Sequence, residues 1–262
     1  MSDTIRITQD ARGVAVLELH RPDRHNAMSA TMIAELTEAA AQLGADPSVR
    51  VVVLAAAGES FCAGGDLGWM REQMQADAPT RSAEARKLAR MLGALNELPK
   101  PVIARVQGQA FGGGLGLISV SDIAVGVEGA RFGLTETRLG LIPATIGPYV
   151  AARIGTAAAR RVFFSARIFG ADEAARLGFL SQVVAPEALD AALEAEIAPF
   201  LACAPGAVAE AKALLRRLGP PLDESMIELS IAALARQWES EEAREGVAAF
   251  FARRPAAWVG GH

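Results

Sequence analysis

Along the chain, short unbroken apolar runs alternate with longer stretches in which apolar residues recur every three or four positions. VAVLELH (14–20), VVVLAAAG (51–58), PVIARVQG (101–108) and DIAVGVEG (122–129) are of the first kind. Runs of this length, rich in branched residues and bounded by turn signals, predict buried strands. Between them, Met32, Ile33, Leu36 and Leu43 follow helical spacing behind Ser29, a residue suited to cap a helix N-terminus. RSAEARKLARMLGALNELPK (81–100) is a second helical stretch, and a further helix is expected after the glycines at 112–116. Strands alternating with helices predict an α/β fold.

After about residue 185 the strand signals stop. EALDAALEAEIAPFLA, AVAEAKALLRRL, DESMIELSIAALARQWESE and EEAREGVAAFFARR are four helical stretches separated by Pro or Gly. The pattern divides the chain into a core over 1–195 and a helical tail over 196–262. The apolar stripes of that tail must bury against the chain's own core or against another subunit.

Composition narrows the function classes. The chain has 262 residues, 51% of them hydrophobic, and a formal net charge of -4. That length supports one substantial core, and the mild acidity argues against nucleic-acid binding, which needs a basic surface. Cys62 and Cys203 lie far apart, and His20, His25 and His262 show no ligand spacing, so neither a disulfide scaffold nor a metal site is expected. The opening MSDTIRITQDARG lacks the apolar core of a signal peptide, and no run of ~18 apolar residues could cross a bilayer. The expectation is a cytoplasmic globular protein without a membrane partner.

The unusual stretch is GQAFGGGLGLIS (108–119), in which Gly112, Gly113, Gly114 and Gly116 crowd a strand-to-helix junction. Glycine inside an element costs roughly 0.5–1 kcal/mol relative to Ala, so a cluster of them implies a close approach to the backbone. It matches neither a phosphate loop, a dinucleotide fingerprint nor a nucleophile elbow. The amides at a helix start do, however, lack intrahelical partners and point outward with the positive end of the dipole, a ready donor site for developing negative charge. A second junction of this kind, ESFCAGGDLGWM (59–70), carries Gly64 and Gly65 after strand 51–58. If the two strands are neighbours, one amide from each junction grips a single carbonyl oxygen. A third stretch, ARFGLTETRLGLIPATIGPYV (130–150), embeds Glu136 in apolar surroundings. There it is either a desolvated carboxyl with a raised pKa, suited to acid–base work, or one half of an ion pair with an arginine such as Arg138.

RPDRHNAMS, FCAGGDL, PVIARVQGQAFGGG, FGLTETRLGLIP and EGVAAFFARRP occur in this order across nearly the whole chain. Together they resemble the enoyl-CoA hydratase/isomerase family, the crotonases. The resemblance implies a spiral of ββα units with a C-terminal helical region that builds a homotrimer, often paired into a homohexamer. It implies an acyl-CoA thioester substrate, with coenzyme A arriving as part of the substrate and no separate cofactor. Carried onto this sequence, the oxyanion-hole donors are the amides of Gly65 and Gly113, the Ala63 backbone contacts the adenine end of coenzyme A, and Glu136 is catalytic. The Ala144 amide falls at the family's water-holding position. The hydratases of the family generally carry a second glutamate two residues after the glycine triplet, and here that position is Gly116.

Two catalytic readings follow. The wording of FGLTETRLGLIPATIGPYV, FGGGLGL and GGDLGWM is similar to bacterial methylglutaconyl-CoA and isohexenylglutaconyl-CoA hydratases. That similarity implies hydration of a branched or glutaconyl-type 2-enoyl-CoA, with Arg71 or Arg138 as candidate partners of a distal carboxylate. The alternative is double-bond isomerisation, for which a single glutamate suffices. A third reading, a non-catalytic acyl-CoA-binding protein, fits the lost glutamate but not the retained Glu136.

Overall fold

Apolar runs without a polar face must be covered on both sides, and this decides the architecture of the computed structural model, which describes residues 3–260. His262, among the histidines considered above, lies outside the described residues. The chain opens with an antiparallel hairpin of β1 (Ile5–Gln9) and β2 (Val14–Leu19). The sequence pattern passes over β1 because only Ile5 of its residues is buried, as befits an edge strand. α1 (Ala30–Ala45) begins where expected, with the Ser29 side chain accepting from the Met32 amide. β3 (Val51–Ala56) follows, then α2 (Leu67–Gln75), α3 (Ala78–Glu97) and β4 (Val102–Val106). The helix read over 81–100 starts earlier, because Asp77 caps it by accepting from the Thr80 amide, and ends at Glu97 before Pro99 and Pro101.

β5 (Ala110–Phe111) leads into α4 (Gly113–Val120), every residue of which is buried. Beyond it come β6 (Ile123–Val127), β7 (Arg131–Gly133), a turn of 3-10 helix over Glu136–Leu139, and α5 (Gly147–Phe163). β8 (Phe169–Gly170), α6 (Ala171–Leu177) and β9 (Gln182–Val184) complete the strand-bearing part. The main sheet has the order β1-β2-β3-β4-β6-β9, and β5, β7 and β8 form a small second sheet. From β2 onward every pairing in the main sheet is parallel. The small strands are too short to register as apolar periodicity.

The last helices are α7 (Leu189–Leu201), α8 (Pro205–Leu218), α9 (Glu224–Trp238) and α10 (Glu241–Phe251). The boundary expected at 195 falls inside α7. In β3, Val52, Leu54 and Ala56 face the principal core, while Val51, Val53 and Ala55 pack with Leu193 and Ile197 of α7. α7 is thus the cover of the sheet's second face. α9 lies along α3, with Ala85 and Ala89 meeting Ile227 and Ile231. Arg86 pairs with Glu228 at 2.5 Å and Arg90 with Glu224 at 2.5 Å along the same seam.

Gly108, between β4 and β5, allows the incoming 59–62 segment to touch the backbone: a Cβ there would lie 1.9 Å from the Glu59 carbonyl oxygen. Because the obstacle is main chain, Gly108→Ala is expected to destabilise the protein by roughly 1–3 kcal/mol or more, read as a lower midpoint in urea denaturation with an unchanged slope.

Candidate active site

β3 and β4 are parallel neighbours, with Val52 opposite Val102 and Leu54 opposite Ala104. The two glycine junctions that follow them therefore meet. Gly64 has φ +97°, a conformation that favours glycine, and a Cβ on it would sit 3.1 Å from the Phe111 oxygen and 4.0 Å from the Gly113 nitrogen. Gly112, at φ +46° and ψ −114°, caps α4 and donates to the Gly133 oxygen at 2.9 Å. Met28 bridges to Gly65 in parallel, its amide donating to Gly64 O at 2.8 Å and its carbonyl accepting from Asp66 N at 2.9 Å. Those bonds hold the loop segment that carries Gly65 while leaving the glycine's own N–H unused. Neither the Gly65 nor the Gly113 amide donates to an acceptor among the described residues. Both glycines line one cavity of about 470 Å³.

Glu136 enters that cavity from the 3-10 turn after β7. Its Oε1 would lie 3.0 Å from a Cβ on Gly112, so the carboxyl rests on the glycine junction itself. Its Oε2 is shut from solvent and has no hydrogen-bond partner among the described residues. Burial without a compensating partner disfavours the charged form and pushes the pKa up to about 7, against a slight opposing pull from its own backbone amide. The ion-pair alternative is not what forms: Arg138 also lines the cavity but pairs with no carboxylate among the described residues. Arg71 lies instead over the Phe251 ring, 4.9 Å from its centroid, and is not part of the cavity wall.

The remaining expected positions divide. Ala63 lines the cavity, and its N–H is spent on the His25 oxygen at 3.0 Å, leaving the carbonyl as its free group. Ala144 is buried outside the cavity lining, and its amide already donates to Ile142 O at 2.8 Å within a tight turn, so the N–H expected to hold water is engaged. Gly116 is enclosed in α4, where a Cβ would meet Ile146 Cγ2 at 2.7 Å and Leu92 Cδ1 at 3.3 Å. The space for the family's second glutamate is occupied by these apolar side chains. Cys62, beside the first junction, is fully buried, which pushes its thiol up to about 12 and leaves it inert.

Much of the wall escaped the sequence reading. Trp69, Gln73, Arg81, Ala85 and Leu88 reach it from α2 and α3, and Leu234, Trp238 and Phe250 reach it from the tail. The spacing of Leu234 and Trp238, four residues apart on α9, was the available signal. The tail also braces the Glu136 turn. Gln237 Nε2 donates to the Gly140 oxygen at 2.7 Å, and a Cβ on Gly246 would lie 2.5 Å from the Leu139 carbonyl carbon. Leu139 and Leu141 pack there with Ala243 and Val247.

Comparison with known proteins finds relatives over nearly the whole chain. The family model described as enoyl-CoA hydratase/isomerase matches residues 9–261. The chain is 36% identical to an enoyl-CoA hydratase of Alternaria alternata over 80% of this chain and 69% of that one. It is 29% identical to the crotonyl-CoA hydratase of Syntrophomonas wolfei over 97% of each chain. A crystal structure of an enoyl-CoA hydratase from Shewanella pealeana superimposes with a TM-score of 0.81 at 38% identity, covering 98% of this chain and 97% of that one.

Glu136→Gln should lower kcat by about 100-fold or more, and wild-type kcat/KM should rise with pH through about 7 as the carboxylate forms. Between about 4.5, where an unfolded glutamate ionises, and about 7, the folded state holds the extra proton, so this group's burial lowers stability as pH rises through that window. Glu136→Gln should accordingly melt above the wild type at pH 8 and alike below pH ~4.5. Gly116→Glu should not restore a second acid: its side chain collides with Ile146, and the expected result is a loss of roughly 1–3 kcal/mol in urea denaturation with no gain in turnover.

Proposed function

The chain belongs to the enoyl-CoA hydratase/isomerase family, and on that premise we propose that it adds water to a branched or glutaconyl-type 2-enoyl-CoA with Glu136 as its single proton carrier. The observation that carries this reading is one buried carboxyl, with a pKa near 7, in the same cavity as two unengaged amides. The thioester carbonyl accepts from Gly65 and Gly113. The Glu136 carboxylate takes a proton from water as the water oxygen bonds to C3, and the C2=C3 electrons move toward the thioester oxygen. The resulting enolate is held by the two amides, a contribution that in other enzymes is about 2.7–4 kcal/mol per donor. Glutamic acid then returns the proton to C2, and the carboxylate is regenerated. A pKa near the working pH suits both halves of this exchange. The hydroxyl-bearing Thr135 and Thr145 on the same wall are candidates for steadying the water.

A glutaconyl-type acyl group ends in a carboxylate, and the unpaired Arg138 on the cavity wall supports that choice. The apolar Ile146–Leu92 wall at Gly116 favours a second reading, isomerisation of a 3-enoyl-CoA, in which the same carboxylate moves a proton from C2 to C4. Neither reaction needs a cofactor beyond the coenzyme A of the substrate. The exposed Leu214, Leu215 and Leu218 on α8 support assembly into a homotrimer or a pair of them.

Incubation of purified protein with 3-methylglutaconyl-CoA in ¹⁸O-water, followed by mass spectrometry, separates the two reactions. Hydration predicts one labelled oxygen in a new hydroxyl, faster than in the enzyme-free control. Binding without label would reject this substrate for hydration, and conversion of a 3-enoyl-CoA to its 2-enoyl isomer would then establish the second reading.

A further inference from the structure

The chemistry above uses one face of the cavity and leaves another unexplained. Leu234 and Trp238 project from one side of α9 into the wall that Ala85 and Leu88 of α3 also form. None of these side chains moves a proton or stabilises an enolate, and an apolar wall is a poor match for the polar arm and nucleotide of coenzyme A. Its chemistry is that of a hydrocarbon contact, which assigns it to the acyl group.

Trp238 is also fixed in place. The Arg81 guanidinium lies over its ring, 5.8 Å from the centroid. Arg81 ion-pairs with Glu239, the next residue of the chain, and donates to the Ala76 oxygen at 2.5 Å where α2 gives way to α3. The Arg86–Glu228 and Arg90–Glu224 pairs hold the rest of α9 against α3. On its other side Trp238 joins the cluster of Leu141, Ala243 and Val247. A side chain held from both sides is a rigid wall, and packed protein interiors yield little to a misfitting methylene.

We propose that Trp238, with Leu234, is the stop that limits the length of the acyl chain, so that the C-terminal helices set substrate size. This goes beyond the choice between hydration and isomerisation, because the wall acts on any acyl group that enters. The test reads binding alone and stands whichever reaction the protein performs. Full-length protein is titrated calorimetrically with the saturated butyryl-, hexanoyl-, octanoyl- and decanoyl-CoA, none of which can be hydrated or isomerised. Wild-type affinity should fall beyond a limiting length. In Trp238→Ala the ratio of decanoyl- to butyryl-CoA affinity should rise about tenfold or more, the low end of what one methylene is worth in a closed pocket. Trp238→Phe, which keeps a ring over Arg81, should shift the ratio less. Leu234→Ala should shift it in the same direction and serves if Trp238→Ala does not fold by circular dichroism. An unchanged ratio in whichever of the two alanine variants folds, or equal weakening at every chain length, would overturn the assignment.

Discussion

The approach of two backbone segments with no side chain between them is the constraint on which the site rests. The parallel pairing of β3 with β4 delivers both junctions to the same edge of the sheet. Gly64 and Gly112 then adopt conformations with positive φ, and so the chain closes to the point where a Cβ on one would touch the other's main chain. α4 is enclosed because it must start at that junction, and the Glu136 carboxyl comes to rest against Gly112. An amide donor has no side chain to lose, so variation along such a chain acts on the walls of the cavity while the donors are carried by the path of the backbone.

The raised pKa of Glu136 has its origin in burial. Ile146 and Leu92 fill the place of a second carboxyl, and among the described residues no hydrogen-bond partner reaches Glu136 Oε2 to stabilise a charge there. Desolvation, outweighing the pull of its own backbone amide, brings the carboxyl to the middle of its titration near neutrality. A second glutamate nearby would have divided the labour between acid and base. A single group near its pKa is able to serve as both in turn.

The parts of this arrangement that were legible in the sequence are those with local causes. The four long apolar runs became strands because nothing but burial on both faces suits them, and Ser29 capped α1 because its side chain matches an orphan amide. The glycine junctions and Glu136 stood out as departures from ordinary composition, and the structure brings Gly65, Gly113, Ala63 and Glu136 to one cavity. Illegible were features that exist only by contact between distant segments. The Ala144 amide is turned inward by a bond two residues back, and α7, which spans residue 195, packs on the sheet's second face. The tail's share of the cavity, through Leu234, Trp238 and Phe250, depends on α9 and α10 folding back over α3 and the Glu136 turn, which no local periodicity encodes.

That folding back has a consequence for the order in which the protein becomes an enzyme. Chains emerge from synthesis N-terminus first, so both glycine junctions and Glu136 are made before any of the helical tail exists. The turn bearing Glu136 is braced by Gln237 and by Gly246, both made well after it. A nascent chain can thus pair its strands and form both glycine junctions while the Glu136 carboxyl still lacks the support that fixes its aim. The aim of that carboxyl is therefore fixed only when α9 and α10 dock.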